Sequence, residues 1–234
     1  MTSQSSTSTL TTTLTTTLTT TLTAMLTSAL EKQGLNVGHD MVQQWVSFLE
    51  LLMRWNRVFN LTSIDQPKEC VYLHIIDSLL AAPYLYGNRM LDMGSGAGLP
   101  GIPLAILFPN QQWTLLDKNS KKARFLTQVA AQLSLTNVTV VHDHCEYFQP
   151  EVGFDSILSR AFGTLHKMIN GTQHLLCQQG SWIALKGHYP TAELQELPDD
   201  VIWQVNQLSM KGMDVQRHVV CMSRSDCGKS NSYY

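Results

Sequence analysis

Charge is missing from the start of this chain. No Asp, Glu, Lys or Arg occurs before Glu31, and 19 of the 27 residues from Thr2 to Ser28 are Thr or Ser. Over all 234 residues the charged types make up 15%, against roughly 25% in ordinary soluble domains. Neither sign dominates: 16 Lys and Arg face 18 Asp and Glu, a formal net charge of −2. That balance excludes a disordered acidic protein and gives no basic excess from which nucleic-acid binding could be read. Long apolar runs are also absent. None approaches the roughly 18 residues that a membrane-spanning helix needs. Cysteine is scarce and unpaired in pattern: Cys70, Cys145, Cys177, Cys221 and Cys227 are odd in number and never spaced C-x-x-C. A disulfide framework or zinc knuckle is thereby disfavoured, and a cytoplasmic, reducing location is expected.

The uncharged leader is a repeat. Leu10, Leu14, Leu18, Leu22, Leu26 and Leu30 recur every four residues, mostly as Thr-Thr-Thr-Leu. Each four-residue step overshoots a helical turn by about 40°, so the stripe drifts around a helix. Threonine is a weak helix former because of its β-branch. Residues 1–21 are therefore expected to be a disordered or weakly helical leader, with a helix starting at Leu22 and ending near Gly34. A basic start and an apolar centre, the marks of a signal peptide, are absent; so is the arginine of a mitochondrial transit peptide.

The body changes period near residue 89. From Asp40 to Leu61, Val42, Trp45, Val46, Leu49, Leu52, Met53 and Val58 recur at helical spacings, and His74 to Leu85 continues so until Pro83. Short apolar strands then alternate with helices. The strands are Met90–Met93, Trp113–Leu116, Val138–Val141, Ser156–Leu158 and Trp182–Leu185; the helices are Ile102–Leu107, Ser120–Leu133 and Leu165–Leu176. Such alternation predicts an α/β fold with a mainly parallel sheet covered on both faces. Val201–Leu208 and Val215–Met222 follow without a long helix between them and are read as a terminal antiparallel pair. The organisation expected is an N-terminal helical region at 22–86, a sheet domain at 87–222 and a polar tail at 223–234.

The first strand ends in Asp92 and runs into Gly94-Ser95-Gly96-Ala97-Gly98-Leu99-Pro100-Gly101. Glycines between a strand and a helix let a ligand approach backbone N–H groups at the helix start. The spacing G-x-G-x-G is not the G-x-G-x-x-G of dinucleotide sites. A carboxylate directly before the loop would repel a pyrophosphate, so NAD(H) is the weaker reading. It suits a cationic or zwitterionic ligand such as S-adenosylmethionine. Asp117 ends the second strand, 19 residues past Gly98, where a carboxylate would meet the ribose hydroxyls of an adenosine. The acidic turn His142-Asp143-His144-Cys145-Glu146 after the third strand is where an adenine edge would lie. That turn is too short, with no distant partner set, to indicate a metal.

At these residues the sequence resembles the bacterial glucose-inhibited division protein B family, the RsmG methyltransferases. The resemblance is carried by Asp92-Met-Gly-Ser-Gly-Ala-Gly-Leu-Pro-Gly-Ile-Pro103, Trp55-Asn56, Asn60-Leu61-Thr62, His74-Ile-Ile-Asp77-Ser78-Leu79, Phe154 to Ala161, Ala184 to Gly187 and Arg217-His218-Val-Val. It covers about residues 22–222. It implies a Rossmann-like class I S-adenosylmethionine-dependent methyltransferase sheet, with methylation of guanine N7 at one position of small-subunit (16S) ribosomal RNA. By resemblance, Gly94 and Leu99 hold the cofactor, Cys145 and Glu146 frame its adenine, and Arg160 sits beside it. Two stretches depart from the family pattern. His144 stands where an arginine is usual, and Lys118-Asn119-Ser120-Lys121-Lys122 where Ser-Leu-Gly-Lys-Arg is usual.

Guanine N7 carries an exposed lone pair and needs no deprotonation, so positioning can supply most of the catalysis and no general base is expected. No Asn/Asp-Pro-Pro-Tyr marks an amine methyltransferase, and no Pro-Cys or Thr-Cys pair marks a C5-pyrimidine enzyme. Lys121 and Lys122, with Lys118 and Arg124, form a basic cluster after the second strand. Lys186, Arg217 and His218 come from later segments that could reach the same rim, so these are the candidate RNA contacts. The expected partner is small-subunit rRNA or the small ribosomal subunit, bound by a monomer, without metal or membrane. A small-molecule methyltransferase and a non-catalytic RNA-binding module on the same fold are the alternatives.

Overall fold

The computed structural model describes residues 4–225, with side chains from Thr16 onward. Cys227 and the expected tail beyond Ser225 lie outside the described residues. Helix α1 (Gln4–Gln33) packs against α2 (His39–Phe59). The sequence reading starts this first helix at Leu22, whereas the helix already runs from Gln4. Leucines of the stripe form the packed seam: Leu22, Leu26 and Leu30 are almost wholly buried, with Ala29 between them, and Leu18 packs beside them. The threonine hydroxyls are satisfied within the helix, a contact that weakens it only slightly. Thr20, Thr21 and Thr23 donate to the carbonyls of Thr16, Thr17 and Thr19 at 2.9, 2.8 and 2.8 Å, and Thr19 donates to Glu50 on α2. Leu26→Ala is expected to cost about 2–5 kcal/mol, the range for truncating a fully buried leucine. Urea unfolding followed by circular dichroism checks this, and a loss below about 1 kcal/mol would show α1 to be dispensable for the core.

Helix α2 buries Val42, Trp45, Val46, Phe48, Leu49, Leu51 and Leu52, and ends where Asn60 takes a left-handed conformation. Trp45 Nε1 donates to Pro103 O at 3.1 Å, which fastens α2 to the helix following the glycine loop. After α2 a continuous helical run is formed by α3 (Pro67–Glu69), a π-helical segment (Cys70–Ile76) and α4 (Asp77–Leu79), followed by a 3-10 turn at Ala82–Tyr84. Periodicity alone predicts a plain helical stretch over His74 to Leu85, broken at Pro83. The π turn (seven residues) rotates His74 and Asp77 inward, and both are buried.

The sheet contains β1 (Arg89–Met93), β2 (Gln112–Leu116), β3 (Val138–Val141), β4 (Phe154–Arg160), β5 (Leu176–Lys186), β6 (Val201–Leu208) and β7 (Arg217–Arg224). Their order is β3-β2-β1-β4-β5-β7-β6. The first five pair in parallel, and β7 runs antiparallel to both β5 and β6. Strand direction therefore follows the sequence expectation; the insertion of β7 between β5 and β6 does not appear in the sequence pattern. Helices α1, α2, α5 (Gly101–Leu107) and α6 (Ser120–Gln132) share a core with one face of the sheet. Helix α7 (Leu165–Thr172) and the short α8 (Thr191–Gln195) cover the other. The chain reverses its direction across the sheet between β1 and β4, and in open α/β sheets ligands bind outside the carboxyl ends at that switch point. Among the described residues no helix is long and apolar enough to cross a membrane, and no disulfide joins the four described cysteines.

Candidate active site

The carboxyl ends of β1, β2 and β4 and the turn after β3 surround a cavity of about 700 Å³, within the usual range for a small-molecule site. Its floor begins at the glycine loop. Gly94 N and Ser95 N both donate to Leu116 O, at 2.8 and 3.1 Å, tying the loop to the end of β2. Two of the loop glycines are required by space. At Gly98 (φ +83°) a Cβ would lie 2.7 Å from Ile102 Cγ1, and at Gly101 it would lie 2.4 Å from Leu115 Cδ2.

Asp92 does not face the cavity. It is fully buried, its Oδ2 accepts from Gly101 N at 3.0 Å, and its main-chain oxygen accepts from Ser95 Oγ at 2.8 Å. It is therefore a strut inside the loop. Burial pushes its carboxyl up to about 7, and its Oδ1 has no hydrogen-bond partner among the described residues. His74, also buried, is driven the other way: burial, with Arg160 nearby, lowers it to about 4. The two groups act oppositely on stability. Folded Asp92 binds its proton more tightly than the unfolded chain does, so its contribution weakens as pH rises from about 4 to 7. Folded His74 rejects a proton that the unfolded chain takes up, so its contribution weakens as pH falls from about 6.5 to 4. Between about 4 and 6.5 they offset each other. Asp92→Asn is expected to lose stability on acidification through that interval relative to the wild type, read from denaturant midpoints. A pH profile parallel to the wild type would contradict the assignment.

Asp117 stands at the cavity edge with its side chain fixed from both sides. Its Oδ2 accepts from Gly96 N at 2.8 Å and its Oδ1 from Asn119 N at 2.8 Å. A carboxylate has about four lone-pair sites, so two remain for a ligand. Asn119 in turn caps α6, its side chain accepting from Lys121 N and Lys122 N. Gly94, Cys145 and Glu146 also line the cavity. Burial and the neighbouring Glu146 push the Cys145 thiol up to about 11; it is protonated at neutral pH and is no nucleophile. Glu146 is held below its usual value, mainly by its own backbone N–H, and is ionised.

The other expected site residues lie elsewhere. Leu99 is buried in the core behind the loop. Arg160 turns away from the cavity: its guanidinium donates to Leu73 O at 2.6 Å and to Asp77 Oδ2 at 3.2 Å. Arg217 Nε donates to the other oxygen of the same carboxylate at 2.9 Å. Lys186 Nζ is held by Gly163 O at 2.8 Å and by Glu193, whose two oxygens lie 2.8 and 3.0 Å away. His218 is buried on β7 against the edge of Tyr189. Of the expected cations, Lys122 lines the cavity and Lys121 faces a second hollow on the far side of the same helical turn. Sequence reasoning missed Phe162, just after β4, which packs where a Cβ on Gly94 would be, 2.6 Å from its Cδ2. It also missed Lys167 and Asn170 of α7, which reach the cavity from the opposite face. No local pattern marks either; only the fold brings them to the site.

A sheet of this order, with a glycine loop at the switch point and a carboxylate closing the second strand, defines the class I methyltransferase fold. Solved structures agree. Coclaurine N-methyltransferase, solved with N-methylheliamine and SAH, matches at TM-score 0.53 and 10% identity over 88% of this chain and 94% of that one. A plantazolicin methyltransferase, also solved with SAH, matches at TM-score 0.52 and 10% identity over 79% and 99%. The sequence is more specific than the fold. The family profile described as rRNA small subunit methyltransferase G (GidB) matches residues 41–220, and the chain belongs to that family. The Ribosomal RNA small subunit methyltransferase G of Pseudomonas aeruginosa (strain LESB58) is 45% identical over 197 residues, covering 83% of this chain and 92% of that protein. That of Laribacter hongkongensis (strain HLHK9) is 48% identical over 176 residues, covering 75% and 85%.

Proposed function

We propose that this protein transfers a methyl group from S-adenosylmethionine to N7 of a guanine in small-subunit ribosomal RNA. The single observation that carries the reading is the fixed Asp117 carboxylate at the edge of the switch-point cavity, in a chain of this family. The residues present fit the cofactor. Asp117 would take the ribose hydroxyls, Cys145 and Glu146 the adenine side, and Gly94 with Phe162 the remaining wall. When bound, S-adenosylmethionine supplies an electrophilic methyl group and a neutral thioether leaving group. The chain itself has to orient the acceptor and exclude water, because the N7 lone pair is already free to attack. Consistent with that, the only cysteine at the cavity is protonated, and no histidine–carboxylate pair closer than His144–Glu146, at 3.9 Å on the exposed rim, is available as a base among the described residues. Leu99 and Arg160 would act on the cofactor from behind, by holding the loop and the end of β4. Lys122, with Lys118 beside it, would meet the RNA backbone at the cavity mouth. Lys186, Arg217 and His218 would serve as supports of that rim. The reading includes a helical region at 22–86 carried on a methyltransferase domain at 87–222, acting as a monomer in the cytoplasm.

Incubation with labelled cofactor and either small ribosomal subunits or a small-metabolite extract tests the substrate class. Label in the ribosomal RNA is expected. Label confined to small molecules would replace this reading with the small-molecule one, and no binding of S-adenosylhomocysteine would indicate a non-catalytic scaffold.

A further inference from the structure

Helices α2 and α6 enclose a second hollow, of about 990 Å³, on the other side of the turn that carries Lys122. Its apolar wall is anchored deep in the protein. Buried Phe48 and Phe125 have ring centroids 6.5 Å apart, Phe125 and half-buried Trp55 5.5 Å, and Trp55 and Phe59 4.9 Å. This ladder ends in Phe59, a residue that is 40% exposed. The opposite wall carries Lys121, Arg124 and His142. Neither Lys121 nor Arg124 takes part in a salt bridge among the described residues. No residue lining the hollow is Asp or Glu, in a chain whose acidic residues outnumber its basic ones. The hollow adjoins the active site across the turn that carries Lys118 and Lys122. His142 Nε2 lies 3.1 Å from Lys118 O, and Lys118 lines the cofactor cavity.

An exposed aromatic ring fixed to the core, opposite unpaired cations and without carboxylates, matches a nucleotide. A base has a π-face for the ring, and its phosphate has the charge for the cations. We propose that this groove holds an unpaired stretch of the substrate RNA next to the target base, with a base stacked on Phe59 and Trp55 and phosphates on Lys121 and Arg124. This rests on the RNA reading of the active site. An acidic protein segment would satisfy the cations equally well. RNA is favoured because the groove lies directly beside the cavity where an RNA base would react, with only the Lys118–Lys122 turn between them.

The test uses the full chain, a labelled single-stranded ten-nucleotide RNA and a fully paired RNA hairpin, with affinities from fluorescence anisotropy. Phe59→Ala, a change at an exposed position, is expected to weaken single-strand binding roughly tenfold, the usual scale for one stacked base. It should leave the hairpin and the affinity for S-adenosylhomocysteine at their wild-type values. Lys121→Ala with Arg124→Ala should reduce the salt slope of single-strand binding by about 1.4. Both changes should raise KM for small ribosomal subunits. If wild-type protein methylates the subunit but the variants bind the single strand as tightly and with the same salt slope, the groove proposal is overturned while the active-site reading stands. Variants that lose affinity for a ribosomal protein instead of RNA would overturn it equally. If the wild type methylates no ribosomal RNA, the active-site reading fails first.

Discussion

Asp117→Ala is expected to weaken S-adenosylhomocysteine binding by ten- to a hundredfold, read by isothermal titration calorimetry. Asp117 is 6% exposed, and its carboxylate holds two backbone N–H groups, of Gly96 in the first loop and Asn119 in the second. Truncation strands both donors, at about 1–3 kcal/mol for each that stays unsatisfied, and removes the acceptors proposed for the ribose. Each 1.4 kcal/mol is about a tenfold change in affinity. Part of the loss falls on the free protein, which is why the expected effect on binding stops near two decades. Asp117→Asn keeps one acceptor and should fall between. Binding by the alanine variant at wild-type strength would show that the ligand does not use this edge of the cavity.

The largest stability effect is expected at Asp77, which lies in the helical run that precedes the sheet. Its carboxylate is 3% exposed and carries two guanidinium groups, Arg160 at 3.2 Å on Oδ2 and Arg217 at 2.9 Å on Oδ1. One carboxylate thus joins the helical region to the end of β4 and the start of β7. Asp77→Ala leaves both cations without a counter-charge, and breaking a buried pair from one side costs about 3–5 kcal/mol. A fall of that size in unfolding free energy, from guanidinium chloride titration, is the expected result. Adding Arg217→Ala to Asp77→Ala should recover part of the loss, because one of the two stranded charges is then gone. A loss below about 1 kcal/mol, or additive single effects in the double-mutant cycle, would show that the three residues are not coupled.

The triad also marks where sequence reading reached its end. Strands, helices and the glycine loop were legible because each is a local pattern: period two or a short apolar run for the strands, three and four for the helices, glycine where the backbone turns. Asp117 was legible because its distance from the loop is set by one β-α-β unit. The partners of Arg160 and Arg217 lie 83 and 140 residues away in the chain, and no spacing rule reaches that far. Hence Arg160, expected beside the cofactor, and Arg217, expected at the RNA, are both tied to one carboxylate, and Lys186 to Glu193. The leader failed for another reason. Threonine propensity argued against a firm helix before Leu22, but the helix runs from Gln4 and is anchored downstream by the buried seam of Leu22, Leu26 and Leu30. Local preference is a weak prior wherever a partner surface is available. The near-neutral net charge proved uninformative for the same kind of reason. It averages carboxylates engaged inside the fold with the Lys121 and Arg124 side of α6, which faces a hollow free of acidic groups.

The proposed reaction is decided at one atom, N7 of guanine, and can be read directly. Small ribosomal subunits lacking the modification are incubated with the protein and S-adenosylmethionine, the RNA is extracted, and reduction followed by aniline cleavage is mapped by primer extension. N7-methylguanine is labile to this treatment and other methylated bases are not. A single new, cofactor-dependent scission at a guanine is the expected result. Methyl incorporation without any scission would place the methyl group on another atom and contradict the proposed reaction.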